Sequence, residues 1–330
     1  MKAYNLKNNK VLTSEIQNKY LRIKTVNYGS SLYEVYHKSK KTNLILNLGS
    51  KSNYKFNKFY VGATCGRYAG RIENSKFYIG KKKFVLNKNN GSNTLHGGSK
   101  GFATVPWKKI KQTKDKIVYQ IKSKDLDQGF PGNLLVNCTY QINKKYLLIK
   151  YEYRSDRYTH VNLTNHSYWN LSKNKKDKIF DHHLVLNSKK YLETNKYLIP
   201  TGKIKNVDKK RYDFSIFESL KKKLFRPAKN KKKEKLSGLD TTYIIKKSFN
   251  NYVGSLKNNN TNIQIDFFSK LPGLQVYTAQ YLKYKNRLNP YQGICLENQY
   301  YPDTPNKKKF PSTLIKPNKL YKCYIKIKFN

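Results

Sequence analysis

Short runs in which apolar and polar residues alternate recur along almost the whole chain, and they constrain the fold more than any other feature. Alternation with a period of two places the apolar side chains on one face of a β-strand. The runs are rich in β-branched and aromatic residues, and turn-forming residues separate them about every 8 to 15 positions. Examples are YLRIKTV, DKIVYQIK, YLLIKYEYR, NIQIDFF, LQVYTAQYL, GICLENQ and CYIKIKF. This spacing predicts an all-β sandwich or barrel.

Helical periodicity is scarce, and the best candidate is SIFESLKKKLF (215–225), which follows Asp213 and ends before Pro227. We expect one short helix there. The next segment, KNKKKEK (229–235), is predicted to be an exposed loop. Strands of the same character flank it and no Pro- or Ser-rich tether accompanies it, so we interpret residues 1–330 as a single domain.

The chain carries 68 Lys and Arg against 19 Asp and Glu, a formal net charge of +49. Such a charge ordinarily indicates nucleic acid or an anionic membrane as partner. However, 60 of these cations are lysine and eight are arginine, whereas phosphate and base recognition depends heavily on the arginine fork. Lysine is abundant together with Asn, Ile, Tyr and Phe, which all have A/T-rich codons. We therefore hypothesise a drift in base composition, and we expect no specific nucleic-acid partner and no membrane partner.

Cysteine usage and the N-terminal sequence predict the compartment. Cys65, Cys138, Cys295 and Cys323 lie far apart and form no CxxC pair, so buried, reduced thiols are expected. The first twenty residues contain no apolar core, and no stretch approaches 18 apolar residues. The sequence thus predicts a soluble cytoplasmic protein.

Four windows contain little or no lysine and are rich in small polar residues: 62–75, 90–98, 161–172 and 287–306. If lysine has spread into every position that tolerates it, these windows are positions that do not. They are therefore the places to look for a functional site.

The window VNLTNHSYWNLS (161–172) contains a histidine among hydrogen-bonding residues. Read as a strand, it places Asn162, Thr164, His166 and Tyr168 on one face. The other face then carries Val161, Leu163, Asn165, Ser167 and Trp169. A polar face in an apolar sandwich indicates the floor of a cleft, while a buried histidine that its neighbours satisfy is the alternative interpretation.

The window around GICLENQ shows a similar alternation, with Gly293, Cys295, Glu297 and Gln299 on one face. Partial burial would raise the pKa of Glu297 towards the range of a general base. The alternative is a glutamate paired with one of the lysines.

The remaining windows add His96, which precedes two glycines in NTLHGG, and two arginines in CGRYAGR, Arg67 and Arg71. A guanidinium beside Gly70 could bind a hydroxyl or an oxyanion, and a structural ion pair is the alternative. Motifs of serine hydrolases, P-loop and dinucleotide-binding proteins and HExxH metalloproteases are absent from the sequence. Adjacent His182 and His183 would point to opposite faces of a strand and do not indicate a metal site.

Taken together, the windows resemble a known family, the galactose mutarotases (aldose 1-epimerases). The similarity follows family order along almost the whole chain, and NHSYWNL and CLENQYYPD are its most specific elements. The other matching segments are NYGSSLYEV, FYVGATCGRYAGRI, GSNTLHGGSKGF, LIPTGKI, GLDTTYII, LPGLQVYTAQYL and FPSTLIKPNKLY.

The resemblance implies a large β-supersandwich with a sugar cleft, without cofactor or metal. It implies an aldose such as galactose or glucose as substrate, with Glu297 as general base and His166 as general acid. It places the family's sugar-binding positions on Gly70, Arg71, His96, Ser167, Tyr168, Asp240 and Gln275. We expect a monomer or a homodimer.

The sequence departs from the family pattern at two places. Thr241 stands where the family commonly has histidine, and Ala279-Gln280-Tyr281 replaces a usual GNF. Two other functions stay open: a hexose-6-phosphate 1-epimerase, which the abundant lysine favours, and a non-catalytic sugar-binding protein on the same scaffold.

Overall fold

Alternating burial along the strands defines the architecture of the protein. In the computed structural model, which describes residues 10–208, 211–227 and 234–330, strand Tyr146–Ser155 buries every second side chain and exposes most of the others at least partly. This is the pattern of a sheet with one face on a core.

The described residues form 29 strands. In chain order, the first fifteen are Thr13–Gln17 (β1), Leu21–Val26 (β2), Ser31–His37 (β3), Thr42–Asn43 (β4), Thr64–Cys65 (β5), Arg71–Ile72 (β6), Lys76–Ile79 (β7), Lys82–Val85 (β8), Thr94–Leu95 (β9), Lys108–Gln112 (β10), Lys116–Ser123 (β11), Leu134–Asn143 (β12), Tyr146–Ser155 (β13), Thr159–His160 (β14) and Thr164–Asn165 (β15). The others are Tyr168–Trp169 (β16), His182–Leu186 (β17), Lys190–Thr194 (β18), Pro200–Asn206 (β19), Glu218–Ser219 (β20), Phe225–Pro227 (β21), Glu234–Leu236 (β22), Asp240–Ile244 (β23), Tyr252–Asn258 (β24), Ile263–Phe268 (β25), Gly273–Tyr277 (β26), Ile294–Gln299 (β27), Leu314–Ile315 (β28) and Tyr321–Phe329 (β29).

Two large sheets contain most of these strands. One has nine strands in the order β10-β11-β12-β13-β29-β25-β24-β17-β20, and the other has six in the order β16-β27-β26-β23-β18-β19. A four-stranded sheet, β1-β2-β3-β4, and five two-stranded pairs complete the described part. All the ladders are antiparallel, so the predicted all-β fold is confirmed.

Apolar residues from both large sheets meet in one core. The ring of Trp169, on β16, lies edge-on to Phe267 of β25, with 5.7 Å between the ring centroids. Leu296 of β27 and Ile327 of β29 belong to the same buried cluster. Removing a tryptophan from such a core typically costs about 3–5 kcal/mol.

Helices are few and short. The α-helix Leu220–Leu224 (α1) begins later than the predicted 215–225, because β20 precedes it and Ser219 caps it by accepting a hydrogen bond from the backbone of Lys222. The 3₁₀ helices of the described part are Lys51–Phe56, Glu73–Ser75, Phe102–Thr104, Ile179–Asp181 and Thr304–Asn306.

Two further sequence predictions need correction. Of the predicted loop 229–235, residues 229–233 lie outside the described part, and Glu234 and Lys235 belong to a strand that pairs with β21. All four cysteines are free, but Cys323 is only partly buried. No helix among the described residues is long and apolar enough to cross a membrane.

Candidate active site

One face of the six-stranded sheet forms the floor of a cleft, and the strand register brings its side chains into rows. Antiparallel neighbours that lie opposite one another point to the same face. The central row is Glu297, Gln275 and Thr242, on β27, β26 and β23.

The next row on one side is Tyr168, Cys295, Tyr277 and Asp240. Four strands, β16, β27, β26 and β23, thus contribute side chains to one surface. The opposite face of β27 carries Ile294 and Leu296 into the core, which is why the whole strand is buried.

The cleft has a volume of about 450 Å³. Its floor comes from β16, β27, β26 and β23 of the six-stranded sheet. Its walls come from residues 58–60, 70–71 and 89–96 and from the β18–β19 connection at the edge of that sheet, residues 194–200. Tyr60 packs against two histidines of the cleft, with ring centroids 4.6 Å from His96 and 5.7 Å from His166.

Glu297 and His166 face each other at the bottom of this cleft. Glu297 Oε1 lies 3.7 Å from His166 Nε2, and the two side chains are only 2% and 5% exposed. Glu297 Oε2 has no hydrogen-bond partner among the described residues. The other ring nitrogen of His166, Nδ1, lies 3.4 Å from Cys295 Sγ.

Burial controls the ionisation of this pair. Desolvation, helped by the nearby carboxylate of Asp240 and opposed by Arg71, raises the pKa of Glu297 well above its ordinary value of 4.5. Desolvation lowers the pKa of His166 to about 4. Burial therefore favours an uncharged carboxyl group beside an uncharged imidazole.

His96 is held by its neighbour Gly70. The backbone N–H of Gly70 donates to His96 Nδ1 at 3.3 Å, so in the neutral imidazole the proton is on Nε2. Burial keeps the pKa of His96 well below 6.5, with the charges of His166 and Arg71 as smaller causes. Gly70 itself has φ +82°, and a Cβ there would lie 2.9 Å from Pro302, so glycine is required at this position.

The same tautomer bears on metal binding. The ligand atoms of His96, His166 and Glu297 lie within 4.8 Å of one another, an arrangement with the residue types of a zinc site. A metal ligand needs a free lone pair on the nitrogen, and the Gly70 contact leaves Nε2 of His96 as a proton donor. The trio is better suited to hydrogen bonding than to holding a metal.

A second polar chain borders this pair. Arg71 Nη2 lies 3.9 Å from Asp240 Oδ2, and its Nε donates to Asn90 Oδ1 at 3.1 Å. Gln275 donates to Asp240 and accepts a hydrogen bond from the hydroxyl of Thr242. Burial raises the pKa of Asp240, while Arg71 and Gln275 act in the opposite direction.

Sequence comparison identifies the family. The family model for aldose 1-epimerase matches residues 13–328. The chain belongs to the aldose 1-epimerase family. It is therefore an enzyme of the isomerase class.

Individual relatives agree with the family model. The chain is 29% identical over 317 residues to the galactose mutarotase of Bos taurus, covering 93% of this chain and 90% of that protein. It is 33% identical over 267 residues to the aldose 1-epimerase of Haemophilus influenzae, covering 78% and 77%.

Solved structures show the same fold. A GalM/aldose epimerase homologue from C. elegans has a TM-score of 0.90 at 24% identity and covers 97% of this chain and 99% of that one. A galactose 1-epimerase from Lactobacillus acidophilus has a TM-score of 0.85 at 24% identity and covers 99% and 97%. The architecture of this aldose 1-epimerase family member is thus galactose mutarotase-like.

The structure brings most of the predicted site residues of this family member to one cleft. Its lining includes Glu297 and His166 together with Gly70, Arg71, His96, Tyr168, Asp240 and Gln275. Ser167 is the exception, because its hydroxyl donates to Asn165 Oδ1 at 2.6 Å and it does not line the cleft. We leave Ser167 out of the proposed sugar-binding set.

The predicted strand 161–172 is in fact interrupted. It forms the short strand β15, which pairs with β5, and the short strand β16, which pairs with β27. The hydroxyl of Thr164 is buried and has no hydrogen-bond partner among the described residues, and Asn162 donates to the backbone of Ala69. Of the predicted polar face, only His166 and Tyr168 line the cleft.

Two other candidates have structural contacts. Arg67 is buried and donates to the carbonyl oxygens of Pro131 and Gly132, each at 2.9 Å. His182 Nε2 accepts a hydrogen bond from the backbone of Leu171 at 2.8 Å, whereas His183 is on the alternate, partly exposed position.

Sequence reasoning missed several residues of the lining: Tyr60, Thr242, Tyr277 and Gln299 among them. The signal for Gln299 is the period of two, which places it on the same strand face as Glu297. Thr241, the departure noted above, does not line the cleft, whereas Tyr281, of the second departure, does.

Proposed function

We propose that the protein interconverts the α and β anomers of an unphosphorylated aldose such as galactose or glucose. The observation that carries the proposal is the buried Glu297–His166 pair, 3.7 Å apart, on the floor of a cleft large enough for a sugar. Family membership supports the same reaction class.

The chemistry needs one base and one acid around the anomeric carbon. Glu297, as carboxylate, takes the proton of the anomeric hydroxyl, and the anomeric oxygen becomes a carbonyl oxygen as the bond from C1 to the ring oxygen breaks. His166, as imidazolium, gives its Nε2 proton to the ring oxygen. Rotation about C1–C2 and closure on the other carbonyl face, with the roles reversed, give the second anomer.

The electrostatics of the cleft favour these two proton transfers. Ring opening leaves a protonated Glu297 and a neutral His166, which is the protonation state that burial favours. Before ring opening, the pair holds the same single proton on His166, as an imidazolium beside the Glu297 carboxylate. A desolvated site stabilises such an ion pair poorly. Proton transfer during ring opening thus takes the pair from its charged arrangement to the neutral arrangement that burial favours.

Polarimetry on freshly dissolved α-galactose and α-glucose tests the proposal. Glu297→Gln and His166→Asn should each reduce mutarotation by about 10²- to 10⁴-fold. Matched controls are Glu152→Gln and His183→Asn, on strands outside the cleft, which should retain activity. Full activity in either cleft variant would refute the assignment.

The pH profile of kcat/KM gives a second test. The pair is competent only while it holds one proton, so the profile should be bell-shaped. The acid limb should fall near the pKa of His166, about 4, and the alkaline limb should lie above the ordinary range of a glutamate. A profile that is flat from pH 4 to 9 would contradict the assigned roles.

The cleft favours a free sugar over a hexose 6-phosphate. Among the described lining residues Lys58 is the single lysine, and the guanidinium of Arg71 already faces Asp240 and Asn90. The carboxylate of Asp240 in the same cleft would repel a phosphate dianion. Glucose 6-phosphate should therefore compete poorly with glucose.

A further inference from the structure

The row beyond Glu297 on the cleft floor contains a glutamine whose side-chain amide has no hydrogen-bond partner in the described part of the chain. Gln299 follows Glu297 by two positions on β27, so both side chains lie on the cleft face. Its cross-strand neighbour is Gly273, over which the ring of Tyr301 lies, 3.0 Å from where a Cβ would be. Tyr301 thus covers the backbone of the strand opposite Gln299.

The amide of Gln299 is buried and open for hydrogen bonding. The residue is 1% exposed, and neither Oε1 nor Nε2 has a hydrogen-bond partner among the described residues. Gln275, in the central row, differs because its oxygen accepts from Thr242 and its nitrogen donates to Asp240. Buried amides without partners are costly, so an open one that faces a cleft indicates a ligand.

The ligand chemistry follows from the amide and from its position. A carboxamide offers one acceptor and one donor side by side, which matches a hydroxyl group that donates and accepts. Two residues along a strand span about 6.7 Å, which is comparable to a pyranose ring with its substituents. A sugar whose C1 lies between Glu297 and His166 would therefore present the opposite side of its ring to Gln299.

We propose that Gln299 binds the hydroxyl on C3 or C4 of the aldose, away from the reacting carbon, and so contributes to substrate selection. This inference rests on the proposed function. Because Gln299 contacts no reacting atom, its loss should weaken binding and leave the chemical step nearly intact.

The test compares Gln299→Met with Asn298→Leu on a panel of sugars. Methionine keeps the length of the side chain and removes both hydrogen-bonding groups. Asn298 is the matched control, because its amide is also buried, has no hydrogen-bond partner within the described ranges, and points away from the cleft. KM and kcat are measured by polarimetry for glucose, galactose, 3-deoxyglucose and 4-deoxyglucose.

For Gln299→Met we expect KM for glucose and galactose to rise about tenfold or more, with kcat within about threefold of wild type. For one of the two deoxy sugars the same substitution should not raise KM, because the hydroxyl that Gln299 contacts is already missing. Asn298→Leu should show neither effect.

Three results would overturn the inference: an unchanged KM, an equal penalty on all four sugars, or the same penalty in Asn298→Leu. If Gln299→Met does not fold, Gln299→Asn withdraws the amide by one methylene and is judged by the same pattern. A wild-type protein that is inactive on every aldose would refute the proposed function and this inference with it. If the wild type is active and the Gln299 variant has the same KM as wild type, the inference alone is refuted.

Discussion

Glu297→Gln should make the folded protein more stable, and the gain should grow with pH. Glu297 is 2% exposed, and burial raises its pKa well above 4.5. A group whose pKa is raised by folding binds more protons in the folded state. The stability that this proton contributes is complete below pH 4.5 and is lost as the pH rises through the raised pKa. Glutamine has nearly the same volume and does not ionise, so the variant avoids this loss.

The magnitude follows from linkage. Between pH 4.5 and the raised pKa, the wild type should lose about 1.4 kcal/mol of unfolding free energy per pH unit relative to the variant. The difference should level off above the raised pKa. Differences in packing between a carboxyl and an amide do not depend on pH, so the slope isolates the ionisation of Glu297.

Urea unfolding at pH 5, 6, 7 and 8 measures this slope in wild type and variant. Glu152→Gln is the matched control, because Lys150 Nζ lies 2.8 Å from its carboxylate and lowers its pKa. For that group the linked stability is lost only as the pH falls below 4.5, so its difference from wild type should be flat over the range. A flat difference for Glu297→Gln as well would refute the buried ionisation on which the proposed chemistry depends.

Two further predictions concern buried groups outside the cleft. Arg67→Met should lower the free energy of unfolding by about 3 kcal/mol or more, because it leaves buried carbonyl oxygens of residues 131 and 132 unpaired; a loss below about 1 kcal/mol in urea unfolding would contradict this. Burial lowers the pKa of His160 to about 4, so the unfolded chain takes up the proton first and stability is lost as the pH falls from 6.5 to 4. His160→Gln should remove about 3 kcal/mol of that loss by pH 4; an unaltered dependence of thermal unfolding on pH would show that His160 does not titrate in this way.

The sequence predicted those features that depend on a continuous strand. The period of two along GICLENQ correctly placed Glu297 and Gln299 on one face, because Ile294–Gln299 is an uninterrupted strand between two partners. The same reasoning failed for residues 161–172. There the chain exchanges ladder partners between β15 and β16, and a change of partner ends the alternation that the prediction assumed.

Cross-strand register accounts for what the sequence did not reveal. Thr242 and Tyr277 enter the cleft because they lie opposite Gln275 and Cys295, respectively, and these pairings join segments at least eighteen residues apart. Nothing in either local segment specifies the register. The predicted single domain, the oligomeric state and the cytoplasmic location stay predictions.

The distribution of lysine connects composition to the proposed chemistry. Lysine makes up 60 of 330 residues, so 22 lining residues drawn at random would include about four, whereas the described lining contains Lys58 alone. An ammonium group close to Glu297 would favour its carboxylate and lower its pKa, which opposes the effect of burial. It would also stabilise the Glu297 carboxylate beside the His166 imidazolium. The preference for a protonated Glu297 and a neutral His166, the state that follows ring opening, would then be lost. If the lysine content reflects a drift in base composition, that drift is opposed in the cleft, which accounts for the position of Glu297, His166 and Arg71 in lysine-poor windows; Asp240 and Gln275 lie outside these windows.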